Sequence, residues 1–245
     1  MCFAGAEAHP PCFDGGGTDV GVRMGRIGVF LTCLVAIAAS TRVAIAQDVS
    51  LSPTDWIFRG SPGMGLHPLA APGGWKFDFP SHPRAQCEDP RCPQVHYLTT
   101  AYTKALAPTS SMSMTLSIAT TPSVMFDYHT EESHTCPGSA TVRLYFQQQG
   151  DDLTLASATY RWWSNPISFV LAPTSGAVTF TVLLHGSQWT DVNGMSGLQQ
   201  PRGFAAALAH PANIGMTFGG GCFFGHGVFI DSGTATFTVT AFSIN

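Results

Sequence analysis

The chain has 245 residues with 11 Lys or Arg against 15 Asp or Glu, a formal net charge of −4, and no basic cluster able to neutralise a row of phosphates, so nucleic acid is excluded as an expected partner. Charged residues are only 11% and apolar residues 44% of the sequence, too apolar for a disordered chain and, with abundant Gly, Ser, Thr and aromatics, in keeping with an exported β-protein. The length suits one domain with a sizeable core rather than two ordinary ones.

Residues 1–23 contain Gly15-Gly16-Gly17 and two cysteines but no periodic apolar pattern; they read as an upstream extension, with translation starting at Met24. Residues 24–46 read as a secretory signal peptide, with Arg26 ahead of the apolar run from Ile27 to Ala39 and the small-residue site Ala44-Ile45-Ala46. That run is shorter than the ~20 residues a membrane-spanning helix needs. The mature chain is therefore expected to begin near Gln47, to be exported, and to carry no integral membrane segment.

Residues 47–94 are rich in Pro and Gly, with the single aromatics Trp56, Phe58, Trp75, Phe77 and Phe79 between them. Pro removes backbone donors and Gly costs order, so no long helix fits. The expectation is an irregular N-terminal arm with short edge strands, pinned to the core by its aromatics. Maturation would leave Cys87, Cys92, Cys136 and Cys222, an even number that in an oxidising compartment implies two disulfides in one of three pairings. The short Cys87 to Cys92 segment resembles a local loop closure, which leaves Cys136 with Cys222. A zinc site is the alternative, although Cys-x4-Cys is looser than the usual ligand pair.

From Val95 to Asn245 the apolar period is two. Met112, Met114, Leu116 and Ile118 alternate with Ser111, Ser113, Thr115 and Ser117, the pattern of a half-buried strand. Val124, Phe126 and Tyr128 follow, then Val142, Leu144 and Phe146, then Val178, Phe180, Val182 and Leu184, and finally Ala235, Phe237 and Val239 between threonines. Turn signals separate these runs, among them Gln149-Gly150-Asp151-Asp152 and Asp191-Val192-Asn193-Gly194. Only 204–208 suits a short helical turn. Seven or more such strands predict an all-β, two-sheet antiparallel jelly-roll sandwich over 95–245.

Tyr160-Arg161-Trp162-Trp163-Ser164 on one strand, Leu184 to Gly194 with its Trp189 leaving another, and the Gly-rich 215–221 before the ending Phe242-Ser243-Ile244-Asn245 resemble the β-jelly rolls of the galactose-binding-like and carbohydrate-binding-module superfamily. The resemblance covers about the last two thirds of the mature chain at the level of architecture and shares no catalytic motif, so any function it implies is by analogy.

Strand parity defines the candidate binding face. If Val142, Leu144 and Phe146 point inward, then Arg143, Tyr145 and Gln147 point outward, and if Trp162 is in the core then Arg161 and Trp163 are opposite. An aromatic plane beside long donors is how a sugar is held, the ring covering the C–H face and the donors reaching hydroxyls. Arg143, Tyr145, Gln147, Arg161 and Trp163 are thus the expected ligand-binding residues, on an exposed sheet face. The competing reading packs Trp163 under the N-terminal arm and leaves both arginines solvating a sheet, and a single bulge would exchange the faces.

His129, His134, Asp127, Glu131 and Glu132 cluster in sequence. Modules of the resembling kind often carry a structural calcium, which would suit such ligands, whereas the residues themselves read as a solvated polar loop, and no cofactor is otherwise expected. Gly219 to Gly227 lacks the Lys-Ser/Thr of a phosphate loop and reads as close backbone packing, with His226 a structural donor. Neither a nucleophile elbow nor a His-Glu-x-x-His is present. Glu131 and Glu132, adjacent, would face opposite sides of a strand and so make no glycosidase pair. The expectation is a non-catalytic binder of carbohydrate, with a secreted hydrolase or lyase on the same scaffold, or an adhesive surface protein, as the alternatives.

Overall fold

Alternating apolar and hydroxylated residues give strands wherever the sequence shows period two, and the structure, a computed structural model, describes residues 47–86, 91–128 and 137–245. The predicted leader, Cys87, Cys136 and the cluster His129, Glu131, Glu132 and His134 lie outside the described residues. The strands are β1 (Gln47–Asp48), β2 (Trp56–Arg59), β3 (Leu69–Ala71), β4 (Gly74–Asp78), β5 (Tyr97–Ala101), β6 (Ser111–Thr120), β7 (Met125–Tyr128), β8 (Ala140–Gln148), β9 (Arg161–Ser164), β10 (Phe169–Val170), β11 (Val178–Leu183), β12 (Trp189–Thr190), β13 (Pro211–Gly220), β14 (Val228–Ser232) and β15 (Ala235–Ile244).

One antiparallel sheet runs β11-β6-β15-β4-β3, with β1 also paired to β15; the other runs β12-β9-β8-β13-β5-β2, with β10 also paired to β8. A small two-stranded sheet joins β14 to β7. The two large sheets meet through rings. Trp56 on one lies 5.1 Å from Trp75 on the other, and Phe218 lies 5.7 Å from Phe77 and 5.5 Å from Phe237. Perpendicular and tilted ring pairs of this kind add to the area they bury. The chain is thus an all-β, two-sheet antiparallel sandwich, as the alternation predicts.

The segment expected as an arm belongs to both sheets. Trp56 and Phe58 sit on β2 at the edge of the seven-stranded sheet, while Trp75 and Phe77 sit on β4 beside β15, with Phe79 just beyond. All five rings are buried.

Two elements are stronger than their sequence suggests. In place of a short turn at 204–208 the structure has a nine-residue helix, α1 (Pro201–Ala209); Pro201 in its first turn lacks only an N–H that has no intrahelical acceptor anyway. The helix sets Phe204 edge-on to Trp162 at 4.9 Å. The glycine-rich 215–220 run is part of β13, between β8 and β5. A Cβ on Gly219 would overlap the Phe223 carbonyl and one on Gly220 the Tyr128 ring, so close approach requires glycine there. On β15 the register shifts between Val239 and Ala241. That bulge carries the inward set from Ala235, Phe237 and Val239 to Phe242 and Ile244, all buried.

Candidate functional site

Register brings the five predicted ligand-binding residues together. Tyr145 pairs with Trp163 and Gln147 with Arg161 across β8 and β9, and Arg143 lies on the same side of β8. Val142, Leu144, Phe146 and Trp162 occupy the opposite, core-facing side. The parity assignment therefore gathers Arg143, Tyr145, Gln147, Arg161 and Trp163 on the outer face of the seven-stranded sheet.

That face is not open, contrary to the expectation. Arg143, Tyr145, Gln147, Arg161 and Trp163 are only 7%, 2%, 9%, 9% and 4% exposed. The cause is a second layer of loops that the long side chains themselves anchor. Arg143 stacks its guanidinium 3.9 Å from the Phe224 ring centre and donates to the Ser164 carbonyl at 2.7 Å. Burial pulls its pKa down to about 10, which leaves it cationic at neutral pH. Arg161 pairs with Asp151 at 3.2 Å and donates to the Thr154 carbonyl, while Gln147 donates to the same Asp151 at 2.8 Å. The two arginines are structural struts rather than free donors. Trp163 packs on Tyr145 at 5.7 Å between ring centres, and Tyr145 on Tyr97 at 5.3 Å.

Between the sheet and its loops lies a cleft of about 780 Å³, lined by Tyr97, Trp163, Asn165, Asp191, Asn193 and Phe224 together with Arg161, His96 and His226. A size of this order suits a small-molecule site. Asp191 follows β12 and closes its turn: Oδ1 accepts from the backbone N–H of Asn193 at 2.9 Å and of Met195 at 3.0 Å. Its other oxygen, Oδ2, is buried and accepts nothing, and the residue is 2% exposed. Burial raises the pKa of this carboxyl, and the two backbone donors oppose the rise.

Donors line the same cleft. The indole N–H of Trp163 is buried and makes no well-aligned hydrogen bond. Burial pushes the Tyr97 hydroxyl up to about 12, with the Arg161 charge and the nearby Trp163 N–H pulling the other way, so at neutral pH the phenol keeps its proton. His96 places Nδ1 2.9 Å from the Gly225 carbonyl, which fixes the ring proton on Nδ1 because a carbonyl can only accept. His226 rests edge-on against Phe223 at 5.2 Å. A second pocket, of about 250 Å³, adjoins the cleft through Tyr97 and Arg161 and is lined further by Arg59, Thr99, Tyr145 and Gln147.

The expected polar loop contributes one described carboxylate, Asp127, which Arg84 grips through both oxygens at 3.0 and 2.9 Å. Among the described residues no group of three or more His, Cys, Asp or Glu is placed to hold a metal ion. Reading by parity misses Asp191, Asn193, Asn165, Tyr97, Phe224 and Arg59. Asp191-Val192-Asn193-Gly194 carries a turn signal directly after Trp189-Thr190, and a turn leaving a strand beside an aromatic is where a loop can return over the sheet. No protein-family model matches the chain, and no curated protein matches it.

Proposed function

We propose that the chain is an exported, non-catalytic binding protein that holds carbohydrate in the cleft over the outer face of the seven-stranded sheet. The observation that carries this reading is the buried, unpartnered Oδ2 of Asp191. A polar atom withdrawn from water without a partner costs stability unless something else satisfies it, and a ligand hydroxyl does so by donating to it. The same hydroxyl, or its neighbour on a sugar ring, can accept from Trp163 Nε1 or the Tyr97 hydroxyl. Half-buried Phe224 and Tyr97 supply apolar surface for C–H faces. Alternating donors and acceptors beside aromatic rings match a polyol better than a purely apolar or a purely charged ligand.

Export rests on the 24–46 signal sequence, and with it two disulfides, Cys87–Cys92 and Cys136–Cys222; Cys92 and Cys222 each have an interaction partner. Kinship with the galactose-binding-like jelly rolls belongs to the same proposal and rests on the sequence resemblance alone. A glycan array on the secreted chain, repeated with Asp191→Asn, tests the function. Binding to a defined glycan class that the substitution weakens about tenfold supports it, and a silent array or an unaffected variant overturns it. Non-reducing peptide mapping checks the cysteine pairs.

A further inference from the structure

The smaller pocket differs from the cleft in its polar balance. Its carboxylate neighbour, Asp151, is already taken, since Oδ2 receives Gln147 Nε2 at 2.8 Å and pairs with Arg161 at 3.2 Å, while Oδ1 receives the Leu153 N–H at 2.9 Å. Gln147 is spent at both ends, because its Oε1 also accepts from Asn213 Nδ2 at 3.0 Å. Thr99 accepts from Arg59 Nε at 3.1 Å. What the lining still offers is donors.

Arg59 is the main one. It is exposed on the edge strand β2, its Nε is held by Thr99, and no carboxylate pairs with it among the described residues, where the ion pairs are Arg84–Asp127 and Arg161–Asp151. Its charge reaches the Tyr145 phenol, whose pKa burial raises and Arg59 lowers in part. Tyr145 and Tyr97 both line the pocket with their protons retained at neutral pH. A guanidinium with its outer nitrogens uncommitted, beside two phenols, is a receiver for an anion. Leu153, held at φ 63° by the Asp151 turn, adds an apolar wall, and an apolar wall strengthens a charge pairing next to it.

We propose that this pocket is an anion subsite of the cleft, in which Arg59 receives the carboxylate or sulfate group of an acidic glycan whose neighbouring unit lies on Asp191. The proposal rests on the carbohydrate reading of the cleft and narrows its ligand to acidic glycans. Tyr97 and Arg161 form the wall the two spaces share, so a ligand of at least two sugar units spans both.

The test is calorimetric titration of the secreted chain with three sets of oligosaccharides of equal length: neutral, uronate-containing, and sulfated on a neutral backbone. The unaltered protein is expected to bind one acidic set roughly tenfold or more tighter than the neutral set, in line with a charge-assisted contact, and which acidic set wins identifies the anion. Arg59→Gln should remove that preference while leaving neutral binding in place, Arg59→Lys should retain part of it, and the preference should shrink as salt rises. An unchanged melting temperature shows that the variants are folded, as expected for an exposed edge residue. Equal binding of neutral and acidic sets, or an acidic preference that survives Arg59→Gln, overturns the anion subsite and leaves the cleft reading standing. Failure of all three sets overturns both.

Discussion

The outward faces of the two sheets begin from the same alternation and diverge in what their side chains require. On the six-stranded sheet the outward residues of β6 and β11 are mostly short hydroxyls, and two pairs of them bond across the strands, Ser113 with Thr181 at 2.9 Å and Thr115 with Thr179 at 3.0 Å. Such a face is satisfied within itself, and its β11 side lies open to solvent. The seven-stranded sheet presents Arg143, Tyr145, Gln147, Arg161 and Trp163 instead. Their length lets them hold loops: Arg143 under Phe224, Gln147 and Arg161 under Asp151. Burial follows, and with it the unpartnered Oδ2 of Asp191. Strand parity decides which side a residue takes, but the reach of the side chains decides whether that side becomes a surface or a site.

The largest effects should come from the two adjacent tryptophans. Trp162 is fully buried in the core and Trp163 is 4% exposed under the loops, so removal of either ring leaves a cavity. Trp162→Ala should cost about 3 to 5 kcal/mol, and Trp163→Ala about 3 kcal/mol, both read by denaturant unfolding. A Trp163→Ala protein as stable as the parent would break the comparison, since it would mean that the outer layer contributes no packing.

Next comes Asp191→Asn, which keeps the oxygen that accepts from Asn193 and Met195 and replaces the unpartnered one. Because burial raises this carboxyl in the fold above its ordinary 3.8, the folded state holds the proton more tightly than the unfolded chain. The stability linked to that proton is fully present below pH 3.8 and is lost as pH rises through the raised value. At neutral pH, therefore, the neutral amide should leave the melting temperature unchanged or higher, while ligand affinity falls about tenfold with the loss of one hydrogen bond to a charged acceptor. A lower melting temperature would show that Oδ2 has a structural partner.

The smallest effect should be at Thr115→Val, on the self-satisfied face. A change within about 0.5 kcal/mol and unaltered binding are expected from thermal melts and titration. Weakened binding would move the site to the other sheet.

Much of the sandwich was legible in the sequence because β6, β8, β11 and β15 follow clean alternation, and one buried face per strand is what alternation reports. The glycines of β13 hid a strand flanked on both sides, since nothing in their side chains signals burial; the information lies in the Phe223 carbonyl and the Tyr128 ring that approach them. Trp75, Phe77 and Phe79 alternate as well, but the Pro and Gly around them obscured β4. For the site, parity found Tyr145 and Trp163 as neighbours and missed their cover. Asp191, Phe224 and Tyr97 meet only through tertiary structure, from three separate parts of the chain, and no local spacing encodes that meeting.

The central claim is that the space beneath the 191–194 and 222–226 loops is the binding site. Titration of a glycan selected on the array against the parent, Asp191→Asn and Thr115→Val, at neutral pH with melting temperatures measured in parallel, tests this most directly. Affinity is expected to be about tenfold weaker for Asp191→Asn alone, with all three proteins folded. Equal affinity for the parent and Asp191→Asn, or a loss confined to Thr115→Val, would contradict it.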